Sequence, residues 1–299
     1  MDVDTKRPYR SVSQLNQYAR CPQSYKLARI DKVWKRPAAW LPQGTAVHAV
    51  AEEKERRQLA GTPMTLDEAK DLFGQEYEKE IGRYTEITPN FEFWFRSGPY
   101  GGKDDVERRY LIGLEQVEKL YAWTESHPEE RIWVAPDGTP GIELEFDILT
   151  GVDPSCPVHV HGIKDDDCDC GIGPIPLRGF IDAVIEVEVS PGVWEIRVRD
   201  YKTGNSPGDD FQLGVYGVAL AEMYDIDPPQ LGDYYMAGKA GKPGKPTHPY
   251  NIGVWTRDAV AAKFVELEEN LEAGRFDPDP SPSKCGFCDV ALACAFSEA

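Results

Sequence analysis

Two runs, Gly179-Phe-Ile-Asp182-Ala-Val184 and Val198-Arg-Asp200-Tyr-Lys202-Thr-Gly204, constrain this chain more than any other feature. They lie at the ends of two stretches that read as strands, Leu177 to Val189 and Val193 to Tyr201, joined by Ser190-Pro-Gly192 as a hairpin. Side chains alternate faces along a strand, so Asp200 and Lys202 point one way and Tyr201 the other. A fold built on this hairpin brings two carboxylates and an ammonium to adjacent strand ends, where they can hold a divalent cation.

The rest of the chain supplies helices on either side. Ser11 to Ile30 reads as a helix with Ser13 as cap and Leu15, Tyr18 and Leu27 as apolar contacts, broken or bent at Cys21-Pro22. Gly44 to Leu59 and Leu66 to Ile81 read as helices, the latter capped by Thr65 or Asp67. Asp104 to His127 is the clearest helix, with Tyr110, Leu114, Val117 and Tyr121 at helical spacing and Pro128 just beyond. Glu143 to Leu149 adds a strand. Asp209 to Tyr224 follows as a helix, with Leu213, Tyr216, Leu220 and Met223 as its stripe. Leu231 to Met236 and Ile252 to Trp255 read as strands, and Arg257 to Ala273 as an amphipathic helix.

This order predicts a mixed α/β fold, a sheet flanked by helices. We expect one domain over residues 1–299, with a mainly helical region 1–130 and a core 131–273 carrying an insertion at 153–176. A Pro-rich linker, Pro278 to Pro282, leads into a cysteine-rich tail, 274–299. No apolar run approaches the roughly 20 residues that span a bilayer, and the first residues lack a signal-peptide core, so a cytoplasmic protein is expected.

Asp182 and Asp200 are hard oxygen donors suited to Mg²⁺ or Mn²⁺. A cation there polarises a phosphate and activates water, and Lys202 offsets charge building on phosphoryl oxygens. His48, on the helix after Gly44-Thr-Ala-Val, adds an imidazole donor that favours Mn²⁺, and Glu143 adds a carboxylate from the preceding strand. The composition sets a limit: 33 basic residues against 51 acidic give a net charge of -18, unsuited to tight, sequence-blind duplex binding. A local basic channel and a cationic metal centre remain compatible with hydrolysis.

The order of a helical His48, a strand Glu143, Gly-x-x-Asp182, Asp200-x-Lys202 and then Gln212 and Tyr216 one turn apart resembles the RecB-type nucleases of the PD-(D/E)xK superfamily. The resemblance covers Ser11 to Cys294. It implies a restriction-endonuclease-like mixed sheet, His48, Asp182 and Asp200 as metal ligands with the Tyr201 carbonyl as a further one, and Lys202 as the catalytic lysine. It places Gln212 and Tyr216 in the element that supports the site or touches DNA. Asp200 stands where glutamate is commoner.

Seven cysteines in a reducing compartment point to metal binding before disulfides. Cys285, Cys288 and Cys294 form C-x₂-C-x₅-C, and Cys21 supplies a fourth thiolate from the other end; four thiolates suit zinc or an iron–sulfur cluster. The split of one against three resembles the iron–sulfur subgroup of the same nucleases, CRISPR-adaptation nucleases among them, which implies a structural [4Fe–4S] cluster clamping the chain ends. Cys156, His159, His161, Cys168 and Cys170 in the insertion form a second candidate zinc set, outside the family pattern.

For DNA contact, the basic loop Lys239, Lys242 and Lys245 and the indole of Trp34, flanked by Lys32, Lys35 and Arg36, are the candidates. The expected activity is exonucleolytic hydrolysis of single-stranded DNA ends. The alternative is a non-catalytic DNA-end-binding or scaffold subunit working with a helicase or recombination partner. No Walker-type Gly-x-x-x-x-Gly-Lys-Ser/Thr stretch is present, so ATP-driven unwinding would need another polypeptide.

Overall fold

The computed structural model describes residues 8–151, 175–238 and 240–299. Its N-terminal part is helical. Ser11, in extended conformation, accepts from the Gln14 N–H and starts α1 (Val12–Arg20), so the cap is Ser11 where Ser13 was expected. Pro22 lacks the N–H that would continue α1 and instead opens α2 (Pro22–Tyr25), which passes into a π-helical turn, Lys26–Ile30.

Three longer helices follow: α3 (Trp40–Leu59), α4 (Leu66–Ile87) and α5 (Gly102–Ser126). Helix α3 begins a turn before Gly44 because Pro42 is tolerated in a first turn. A full capping box starts α4: the Thr65 hydroxyl accepts from the Glu68 N–H while the Glu68 carboxylate accepts from the Thr65 N–H at 2.8 Å. Helices α4 and α5 approach closely at Gly113, where a Cβ would lie 2.0 Å from the Phe73 ring. Phe73, fully buried, packs there with Tyr77, Val117 and Tyr121; burying one such ring stabilises the fold by about 1.5–3 kcal/mol.

The sheet comprises β1 (Glu130–Ile132), β2 (Ile142–Thr150), β3 (Ile175–Ser190) and β4 (Val193–Lys202), then, after α6 (Asp210–Tyr224), β5 (Leu231–Met236), β6 (Lys245–Pro246) and β7 (Tyr250–Asn251). Strand β3 is antiparallel to β1, β2 and β4, whereas β4 and β5 pair in parallel, with α6 as the crossover. The sheet is therefore mixed, as expected. Strand β1 was not anticipated, being too short to show an alternation. Ile252 to Trp255 is no strand: pairing stops at Asn251, and the Trp255 N–H turns back to the Ile252 carbonyl at 3.0 Å. Helices α7 (Arg257–Glu272) and α8 (Pro282–Cys285) complete the chain.

Each sheet face has its own core. Val184, Val198 and Tyr234 pack with Leu213, Val215 and Phe264 of α6 and α7. Ala183, Ile185, Tyr201 and Tyr235 pack with Ala51 of α3 and Leu120 of α5. No helix among the described residues is long and apolar enough to cross a membrane.

Candidate active site

Strands β3 and β4 pair as far as Ala183 opposite Arg199 and then diverge. Past that point the Tyr201 N–H donates to Asp182 Oδ2 at 2.7 Å, so a carboxylate replaces the strand carbonyl that further pairing would supply. The cleft so opened holds the site. Gly179, three residues before Asp182, leaves room for the Phe146 ring, which would lie 2.6 Å from a Cβ there. That ring packs edge-on against Tyr216 of α6 at a centroid distance of 6.1 Å, fixing one wall.

His48 reaches the cleft from α3. Its Nδ1 lies 3.4 Å from Asp182 Oδ2 and 3.8 Å from Glu143 Oε1, and its Nε2 lies 2.9 Å from the Tyr201 carbonyl oxygen. His48, Glu143 and Asp182 can each offer one ligand atom within 4.8 Å of the others. Glu143 takes φ 42°, in the left-handed region, and the β2–β3 pairing steps over it from Ile142 to Leu144. For a glutamate this conformation costs about 1 kcal/mol or more, and such strain concentrates at functional positions.

Asp200 sits beside this triad, 3% exposed. Its Oδ2 accepts from Gln212 Nε2 at 2.8 Å and from the Tyr216 hydroxyl at 3.5 Å, while Gln212 Nε2 also donates to Tyr216 at 2.7 Å. Its Oδ1 is held by the Lys202 ammonium at 2.6 Å as an ion pair. Gln212 and Tyr216 thus hold the acid in place, and Lys202 Nζ lies 5.1 Å from the centre of the Tyr234 ring.

The electrostatics are those of crowded anions. Burial, opposed by His48 and reinforced by Glu143, pushes the Asp182 carboxyl above its usual range. Burial and the neighbouring Asp182 push Asp200 up to about 6 against the pull of Lys202. Burial disfavours a charged His48, but Asp182, with Glu143 and Asp200, overrides it and lifts the imidazole to about 9. Two carboxylates and an imidazole, with a third buried carboxylate alongside, are a donor set that fits Mg²⁺ or Mn²⁺.

Arg199 points to the opposite face, as the alternation predicts. It is locked there between Asp233, at 2.6 Å from Nε, and Glu130, at 2.6 Å from Nη1. Gln43 and Gln116 were missed at the sequence level. Both are 1% exposed. Gln43 Nε2 donates to Gln116 Oε1 at 2.6 Å, and Gln116 Nε2 donates to the Thr203 carbonyl at 2.9 Å, tying down the residue after Lys202. A polar amide on the apolar face of each helix was the available signal.

The cysteine expectation needs correction. Cys21, Cys285, Cys288 and Cys294 are free thiols on the wall of one cavity. They are not placed for a [4Fe–4S] cluster, and no three of their sulfurs lie within 4.8 Å of one another as a single zinc ion would require. The ends are joined by other means: Arg20 Nη2 donates to the Lys284 carbonyl at 2.5 Å, the Arg36 N–H to the Asp289 carbonyl at 2.7 Å, and Leu27, Ala28 and Val290 form a small core.

Cys156, His159, His161, Cys168, Cys170 and Lys239 lie outside the described residues. Lys242 is exposed on a loop that lies over α5, where the Gly241 N–H donates to Glu115 at 3.0 Å, and Lys245 is exposed at the start of β6. Trp34 spends its indole N–H on Thr88 Oγ1 at 3.0 Å and leaves its ring 39% exposed.

Comparison with known proteins agrees with this geometry. The family model described as the PD-(D/E)XK nuclease superfamily matches residues 9–295. The Gene 69 protein of Mycobacterium phage D29 is 54% identical over 289 residues, with 97% of each chain covered. The Gene 69 protein of Mycobacterium phage L5 is 50% identical over 312 residues, with 98% of each covered. A solved structure from Eubacterium rectale, named "Putative exonuclease", aligns over 95% of this chain and 87% of its own at 13% identity and a TM-score of 0.48, too loose a likeness to carry an argument. The matched span takes in His48, Glu143, Asp182, Asp200, Lys202, Gln212 and Tyr216, and the chain belongs to the PD-(D/E)XK nuclease superfamily.

Proposed function

We propose that this chain is a RecB-type, metal-dependent deoxyribonuclease that hydrolyses phosphodiester bonds at single-stranded DNA ends. The observation that carries the reading is the cluster of His48, Glu143 and Asp182 beside the Asp200–Lys202 pair, where burial raises both the Asp182 and the Asp200 carboxyls. His48, Glu143, Asp182 and Asp200 would hold Mg²⁺ or Mn²⁺, with the Tyr201 carbonyl within reach of His48. When bound, the ion supplies Lewis acidity and a water of lowered pKa.

The chain's own groups do the remaining work. Lys202 presents a positive charge to the phosphoryl oxygens as charge develops there. Gln212 and Tyr216 fix the Asp200 carboxylate, and the Gln116 amide fixes the backbone just after Lys202. We read the described elements as one nuclease domain acting in the cytoplasm, with any helicase or recombination partner supplied by a separate polypeptide.

The test is digestion of end-labelled single-stranded DNA with Mn²⁺ or Mg²⁺. Asp200→Asn and Lys202→Ala are each expected to lose about 10³-fold or more in rate, on the scale of removing a transition-state stabiliser, while both stay folded and Asp200→Asn melts no lower than wild type. Cleavage surviving in both variants would overturn the site assignment. A wild type inactive on every DNA end would favour the non-catalytic scaffold.

A further inference from the structure

The cavity that carries the cysteines, about 620 Å³, extends to Lys202 and Gln212 and so opens directly onto the catalytic strand end. Its charge is opposite to that of the molecule. In a chain with 33 basic and 51 acidic residues, its wall holds Arg20, Arg29, Lys35, Arg36, Lys202 and Lys284 against only Asp279 and Asp289.

Four of these cations also lack the partners found elsewhere on the surface. Among the described residues, no carboxylate lies within 4.0 Å of Arg20, Arg29, Lys35 or Arg36, whereas Arg56, Arg83, Arg131 and Arg178 are each ion-paired. Arg20 and Arg36 donate to backbone carbonyls and Arg29 to the Gln17 amide. Unneutralised cations gathered in an otherwise acidic surface focus the field on one place, and a polyanion is drawn there and repelled elsewhere.

Two aromatic rings stand on the same wall with large exposed areas, Phe287 at 67% and Phe296 at 51%. Cations for phosphates and rings for base faces, lining one groove, are the two elements of single-strand recognition. A duplex hides its base faces in its own stack and leaves such rings unused.

We propose that this cavity, between α1–α2 and the C-terminal tail, is the seat of a single DNA strand leading to Lys202. Phosphates would lie along Arg20, Arg29, Lys35 and Arg36, with bases against Phe287 and Phe296. The proposal rests on the nuclease reading for its direction toward Lys202. It assigns the strand path to residues other than Trp34 and the Lys242–Lys245 loop, neither of which lines the cavity.

The test separates binding from cleavage. In an Asp200→Asn background, the Kd of a fluorescein-labelled oligo-dT 20-mer is measured by anisotropy from about 50 to 300 mM salt. Arg29→Ala with Lys35→Ala is expected to weaken binding at least about tenfold and reduce the salt slope by about 1.4, two phosphate contacts on a single strand. Phe287→Ala with Phe296→Ala is expected to weaken it at least about tenfold with the slope unchanged. Lys242→Ala with Lys245→Ala serves as the comparison and is expected to bind like the parent.

No binding by the parent, normal binding by the cavity variants, a larger loss in the loop variant, or a blunt duplex bound as tightly as the strand would each overturn the proposal. Loss of strand binding in the cavity variants of a chain whose wild type cleaves nothing would sink the nuclease reading and leave this one standing. Normal binding in those variants alongside active wild type would do the reverse.

Discussion

Arg199 and Asp200 are consecutive residues, equally buried, on opposite faces of β4, and their surroundings follow opposite electrostatic rules. On the Arg199 face charge is satisfied. Burial opposes ionisation of both Arg199 and Glu130, yet their mutual attraction, with Asp233, raises the guanidinium well above its usual range and holds the Glu130 carboxyl below its own. On the Asp200 face burial wins, and both aspartates are pushed toward protonation. One strand thus carries a closed ion cluster on one face and, on the other, a crowded acidic cluster whose donors fit a cation. Burial on both faces goes with opposite shifts of their carboxyls, lowered at Glu130 and raised at Asp182 and Asp200.

Removing one charge from each face should sharpen that contrast most. Arg199→Met leaves Glu130 and Asp233 buried without a cation and is expected to cost about 3–5 kcal/mol of stability, read from the urea midpoint. Asp200→Asn, one residue along, is expected to abolish cleavage while the metal-free protein stays at least as stable. A stable Arg199→Met, or a strongly destabilised Asp200→Asn, would break the comparison.

Metal should act on one face only. At a Mn²⁺ concentration about 100 times its Kd, the protein is expected to gain about 2.7 kcal/mol, visible as a rise in Tm. Asp182→Asn should remove most of that rise, and Glu130→Gln should leave it intact.

Acidity should divide the faces next. Asp200 has a folded pKa of about 6, above its unfolded value, so its protonation stabilises the metal-free protein as pH falls through about 6. His48, raised to about 9, contributes stability that is complete below its unfolded value near 6.5 and is lost as pH rises through about 9. Glu130 runs the other way: its folded pKa is lowered, so its contribution holds above the unfolded value and fades as pH falls through the folded one. Thermal melts in chelator should therefore peak in mild acid, and Asp200→Asn should flatten the slope near pH 6. Identical slopes in both proteins would refute the assignment.

The smallest effect belongs to Glu143. Glycine accepts its φ of 42°, so Glu143→Gly is expected to regain roughly 1 kcal/mol in the metal-free protein while weakening Mn²⁺ affinity. Calorimetry with and without Mn²⁺ checks both halves.

Strand alternation explains why Asp182, Asp200 and Lys202 were legible in the sequence. Gln212 and Tyr216 were legible too, because a four-residue spacing puts both on one helix face. Local pattern failed where geometry depends on distant partners. Ile252 to Trp255 has the composition of a strand, but the regular ladder ends at Asn251 and only the Ile252 N–H still reaches across, to the Gln230 carbonyl. The basic cavity draws on residues from Arg20 to Phe296, so no window of sequence displays it. The four thiols share one wall, but whether sulfurs form a ligand set is decided by side-chain placement, which spacing does not encode.

The joining of the chain ends also sets an order in time. Arg10 meets Glu268 across 258 residues, and the tail that follows Glu268 supplies Lys284, Phe287 and Phe296 to the cavity. On the ribosome the strands bearing Asp182, Asp200 and Lys202 emerge well before that wall exists. A nascent chain can therefore assemble its acidic centre while the seat for a strand is still unmade, and a segment synthesised later completes it.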